Sequence, residues 1–160
     1  MAKLTDGACA IDVGDNEILF IGAIPAKKNS KEIVRWRLLP SKRYREWHSL
    51  ITNSLWEIPH IDIDWPLHME IDFIVGDRHR RDLDNAVSSI QDTLVDVGYL
   101  TDDNCSILKK LTVTNLWYIR NLYLTRVKFT PYTISSYNST EDHKDKTIDE
   151  LVHIAHHLFN

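Results

Sequence analysis

Cysteine is scarce in this chain: only Cys9 and Cys105 occur among 160 residues, and they form no CxxC pair. That excludes a disulfide framework and a thiolate zinc site, and it fits a reducing cytoplasm. Long apolar runs are missing as well, so no segment reaches transmembrane length. Asp6, Asp12 and Asp15 stand where a signal peptide needs basic residues and an apolar stretch. A cytoplasmic protein with no membrane partner is the expectation. The third shortage is of positive charge, since the formal net charge is -4. The deficit lies at the ends: residues 20–130 hold 16 Lys/Arg against 14 Asp/Glu, while residues 1–19 and 131–160 each carry a balance of -3. Phosphate contacts depend on local potential, so the basic middle keeps a nucleic-acid partner open.

The length suits one domain able to bury its own core. The pattern along the chain is mixed. Glu17 to Ile24 (EILFIGAI) reads as a strand stopped by Pro25, followed by a polar basic loop from Ala26 to Lys31. Ser41 opens a helix to about Glu57, with Tyr44, Trp47, Leu50, Ile51, Ser54 and Leu55 near helical spacing and Pro59 beyond. Lys42, Arg43 and Arg45 oppose the dipole of its first turns, which suggests a phosphate partner or plain solvation. After Pro66, Leu67 to Val75 alternates as a strand. Asn85 to Val97 reads as a helix with the stripe Val87, Ile90, Leu94 and Val97, stopped by Gly98. Asn104 to Val113 and Leu122 to Phe129 are further strands. Residues 131–146 read as a polar connection with little to bury, and Thr147 to Phe159 as a helical appendage ending the chain. The fold class is therefore α/β (α+β): a small mixed sheet packed with helices, with a core domain over 1–130 and a C-terminal helix over 147–160.

The chemistry gathers around that second helix. Asp82 and Asp84 precede it in Arg81-Asp82-Leu83-Asp84-Asn85, and Asp102-Asp103 follow it. If residues 81–85 are extended or a helix lead-in, the two-residue spacing sets both carboxylates on one side of the backbone, where they repel unless a cation joins them. Carboxylate oxygens are the donors Mg²⁺ and Mn²⁺ prefer, as in metal-assisted phosphodiester chemistry. Arg78, His79, Arg80 and Arg81 lead into them as an anion-binding strip. The plainer reading is that Asp82, Asp84 and Asn85 cap the helix and Asp102-Asp103 form a turn. A helix of about thirteen residues is roughly 20 Å long, so Asp103 meets Asp82 only if the chain folds back.

The run Arg80-Arg81-Asp82-Leu83-Asp84-Asn85, a helix carrying Gln91-Asp92-Thr93-Leu94, a glycine near its end and then Thr101-Asp102-Asp103 resembles the RusA family of Holliday-junction resolvases. The likeness spans residues 66–129, and extends more weakly to the first strand and Pro25-Ala26-Lys27-Lys28-Asn29. It implies a homodimer that cleaves four-way DNA junctions with Mg²⁺ (Mn²⁺ as a substitute). It also makes Asp82, Asp84 and Asp103 the catalytic, metal-binding carboxylates, with Asp102 as a neighbour that assists. Lys27, Lys28, Arg35, Arg37, Arg78, Arg80, Arg81 and Lys109 are the candidate DNA-binding residues. One position departs from the family. Where a catalytic lysine commonly stands, four residues beyond the second aspartate, this chain has Ser88. The alternative is thus a junction-binding protein of the same fold with weak or no catalysis.

A carboxylate phosphatase or sugar-nucleotide transferase fits less well, because four basic or imidazole residues separate the strand from Asp82 and Asn85-Ala86 follows Asp84. His153, His156 and His157 lie near helical spacing, which by itself makes them helix neighbours. Among the tryptophans, Trp47 reads as core. Trp36, between Arg35 and Arg37, is the candidate for facing DNA.

Overall fold

The computed structural model describes residues 7–27, 31–59, 66–79, 82–101, 103 and 105–133. Seven strands and two helices occur in these segments. Strands β1 (Cys9–Gly14), β2 (Glu17–Ile21), β5 (Leu67–Val75), β6 (Leu108–Tyr118) and β7 (Leu124–Pro131) make one sheet in the order β1-β2-β7-β5-β6. All neighbours in it are antiparallel except β5 and β6, which are parallel. Strands β3 (Lys31–Val34) and β4 (Arg37–Pro40) form a separate two-stranded hairpin. The mixed α+β class expected from the sequence is the class observed.

The helices are α1 (Lys42–Trp56) and α2 (Leu83–Asp96). Ser41 starts α1 by accepting the Tyr44 N–H on its hydroxyl at 3.2 Å. On α1, Tyr44, Trp47, Ile51 and Leu55 are buried; on α2, Val87, Ile90 and Leu94 are. Alternation in β5 sends Leu67, Met69, Ile71 and Phe73 into the same core as Ile18, Phe20, Val127 and Phe129. The alternate positions of β5 and β7 are mostly polar, among them His68, Glu70, Asp72, Arg126 and Lys128. There Arg126 pairs with Asp72 and Lys128 with Glu17, the latter at 3.0 Å. This is a two-layer domain, helices on one face and a charged ladder on the other.

Five expectations about the elements change. β2 ends at Ile21, because Gly22 takes φ 101° and leaves the ladder before Pro25. The 26–31 loop gives way to strand at Lys31, where the hairpin begins. α2 begins at Leu83 rather than Asn85, making Asp82 its N-cap. β6 runs four residues later at its start and five at its end than the 104–113 expectation, because pairing with β5 continues through Tyr118. The last strand likewise starts at Leu124 and continues to Pro131. No helix among the described residues is long and apolar enough to cross a membrane. The 147–160 helix, most of the 131–146 connection and the three C-terminal histidines lie outside the described residues.

Candidate active site

A crossover connects β5 to β6, and it decides where the aspartates go. β5 ends at Val75 and the chain turns through buried Gly76 into the loop before α2. A Cβ on Gly76 would stand 2.7 Å from Tyr123 Cε2 and 2.8 Å from the Leu122 backbone nitrogen, so only glycine lets the two loops approach this closely. The Gly76 carbonyl accepts the Asn121 N–H at 2.8 Å, and the Tyr123 hydroxyl donates to Asp77 at 2.5 Å. Asp77 in turn accepts the His79 N–H at 3.0 Å. These contacts tie residues 76–79 to the loop between β6 and β7.

Asp82 has the extended backbone of an N-cap, φ -84° and ψ 111°, yet its side chain makes no cap hydrogen bond. Its nearest recorded partner is Asn85, whose Nδ2 donates at 3.5 Å. The carboxylate is exposed and lines a cleft with Ile24, Pro25, Ser41, Arg43 and Asn85. Asp84, in the first turn of α2, is also exposed and lines a different groove with Leu83, Val87, Ser88, Gln91, Leu111 and Val113. Of the two conformations expected for residues 81–85, the helix lead-in is the one found from Asp82 onward, but it does not bring the two carboxylates into one cleft. With the helix starting between them, Asp82 and Asp84 stand on either side of Leu83, which lines the Asp84 groove and, with Asp82, a small pocket against Phe73 and Val75.

Asp103 goes elsewhere. α2 runs back along the sheet for fourteen residues, about 21 Å, and Ile107 then accepts the Leu67 N–H at 2.7 Å at the opposite end of β5. Four residues separate Asp103 from that point, whereas Asp82 lies beside Phe73, Ile74 and Val75. The fold-back needed to unite them within one chain does not occur. Among the described residues, no group of three or more His, Cys, Asp or Glu side chains converges on a point.

The basic candidates divide as well. Lys27 Nζ is 2.8 Å from Asp92 on α2, and that hydrogen bond holds its ammonium above the ordinary lysine range against the opposing effect of burial. Ser89, fully buried, explains why Lys27 is there: its hydroxyl donates to the Pro25 carbonyl at 2.8 Å and accepts the Lys27 N–H at 3.2 Å. Lys27 is thus tied into the scaffold, a contact that the sequence reading missed, although Asp92 two turns along α2 was its signal. Arg78 is exposed and stacks its guanidinium 5.0 Å from the centre of the Tyr118 ring. Lys109 is exposed on β6, and Arg35 and Arg37 lie at the tip of the β3–β4 hairpin. Of the α1 cations, Arg45 donates to the Pro40 carbonyl and approaches Glu32 at 3.6 Å, while Arg43 faces the Asp82 cleft. Lys28, Arg80, Arg81 and Asp102 lie outside the described residues.

Ser88 shares the groove of Asp84, and among the described residues no lysine or arginine lines it. The chain matches no protein-family model and no curated protein.

Proposed function

We propose that this chain is a Mg²⁺-dependent, structure-specific endodeoxyribonuclease of the RusA type, acting on four-way junctions as a homodimer. The observation that carries the reading is Asp82: it occupies a helix N-cap without using its carboxylate as a cap. Capping is the plain explanation for an aspartate there, and without it the exposed carboxylate, with Asn85 Nδ2 at 3.5 Å, stands at the positive end of the helix. Hard oxygen donors of this kind suit Mg²⁺. In one chain Asp82 and Asp84 border different clefts, so a single chain offers Asp82 as the anchor of a site that further donors must complete. When bound, the metal supplies Lewis-acid stabilisation of a phosphoryl group and a more acidic water.

A second copy completes the donor set. β6 is an edge strand of eleven residues whose Leu111, Leu116 and Trp117 are exposed. A long apolar edge is a template for another strand. Two copies pairing β6 with β6 antiparallel about a two-fold axis place the start of one strand opposite the end of the other. Asp103 of the second copy, just upstream of its β6, then approaches Tyr118, Arg78 and the Asp82 loop. Two such sites per dimer account for paired nicks in two strands.

Ser88 favours one competing reading, a junction-binding protein with little catalysis. Losing a fixed cation near a developing phosphoryl charge costs on the order of hundredfold in rate. The test is cleavage and binding of a labelled four-way junction by the native chain, Asp82→Asn and Asp84→Asn. The nuclease reading expects Mg²⁺-dependent cutting lost in both variants with junction binding kept. Binding without cutting by the native chain, in Mg²⁺ and in Mn²⁺, would favour the second reading.

A further inference from the structure

The β3–β4 hairpin stands apart from the main sheet, and its turn breaks the usual chemistry of such turns. In the β1–β2 hairpin, Asp15 and Asn16 take φ 51° and 60°, residues that tolerate the left-handed region. In β3–β4 the same two positions are Arg35 at φ 49° and Trp36 at φ 69°. Neither gains from this backbone, and a bulky aromatic there is strained. The result is a tryptophan 99 % exposed at the end of a projecting two-stranded arm. Core packing cannot account for it.

The charge around the arm indicates what it meets. Arg35 and Arg37 bracket Trp36, and Lys31 lies on the adjoining strand. The one acid of the hairpin, Glu32, turns to its base, where it accepts the Lys42 N–H at 3.0 Å and lies 3.6 Å from Arg45. Among the described residues, neither Arg35 nor Arg37 makes an ion pair. The base of the arm leads through Ser41 to Arg43, both lining the Asp82 cleft. Four residues of strand carry the tip roughly 13 Å away, about four base steps along a nucleic acid.

The geometry points to the Arg35–Trp36–Arg37 tip as a base-stacking wedge that engages unpaired nucleotides of DNA held at the Asp82 cleft. This rests on the DNA-processing reading for its substrate, but it assigns the hairpin a separate task. An aromatic face accepts any base, and the flanking guanidiniums take the adjoining phosphates. Recognition is therefore of an unstacked base and not of sequence. Exposed Ile33 and Leu38, paired across the two strands, leave a second copy of the chain as the competing occupant.

Binding of native protein, Trp36→Ala, Trp36→Phe and Arg35→Gln/Arg37→Gln to a single-stranded oligonucleotide, a four-way junction and a blunt duplex, in EDTA, tests it. The junction carries 2-aminopurine at its branch point. Expected are a roughly 10- to 100-fold loss of single-strand and junction affinity in Trp36→Ala, a smaller loss in Trp36→Phe, and little change on duplex. The arginine pair should lower the salt slope by about one to two. The 2-aminopurine signal should respond to the native chain and not to Trp36→Ala. The side chain is fully exposed, so thermal stability should not fall. Equal affinities of native and Trp36→Ala, no binding of any DNA by the native chain, or dissociation of a dimer in Trp36→Ala by sedimentation would each overturn the wedge. Absence of cleavage with Trp36-dependent binding intact would instead remove only the nuclease reading.

Discussion

Ser88 and Asp84 face one groove, one helical turn apart on α2, with Leu111 and Val113 of β6 across from them. Ser88→Lys puts an ammonium into that groove. An acidic residue four positions N-terminal to a lysine is a favourable helix pair, so folding should be undisturbed. If the site handles a scissile phosphate, single-turnover cleavage at saturating Mg²⁺ should rise by about 10- to 100-fold with little change in junction affinity. An unchanged rate in a folded, DNA-binding variant would mean that another cation already serves.

Gly76→Ala tests the close approach of the chain after β5 to the loop between β6 and β7. The added Cβ meets the Leu122 backbone and the Tyr123 ring below 3.0 Å, and backbone gives way poorly. The expected cost is about 1–3 kcal/mol, seen as a fall of roughly 2–10 °C in a thermal melt. A melt within one degree of native would show that the two loops separate easily.

His68 supplies a pH signature on the open face. Its ring nitrogen is 2.9 Å from Thr112 Oγ1, and burial pushes its pKa below the ordinary histidine value, with Lys110 adding to this and Glu70 opposing it. A histidine depressed in the folded state contributes stability that is fully present above about pH 6.5 and is lost as pH falls through its folded value. The stability difference between native and His68→Gln should therefore narrow from pH 7 to pH 5 in denaturant titrations. A difference independent of pH would contradict the assignment.

The sequence carried the elements with strong periodicity. Leu67–Val75 matches residue for residue, because its buried positions alternate without a break. Ser41 marks the start of α1. β1 escaped notice because it is short and interrupted by Asp12 and Gly14; Ala10 is its one buried residue, and Ile11 and Val13 are exposed. The β3–β4 hairpin escaped because Arg35-Trp36 is not a turn signal. The identities of the candidate carboxylates were legible, but their arrangement was not. The parallel pairing of β5 with β6, a long-range contact, sends Asp103 to the far end of the sheet from Asp82. Likewise, the capture of Lys27 by Asp92 depends on Ser89 pinning a loop 64 residues away in sequence.

Completion of the carboxylate site by a second copy can be measured directly with mixed dimers. Asp82→Asn and Asp103→Asn are each made inactive on a labelled four-way junction, then unfolded together and refolded as a mixture. In a mixed dimer one site loses both groups, and the other combines a native Asp82 with a native Asp103. The account predicts Mg²⁺-dependent nicking restored in the mixture to about a quarter of native activity, from mixed dimers forming half the population with one working site each. No recovery in a mixture shown to contain mixed dimers, or full activity of either variant alone, would contradict it.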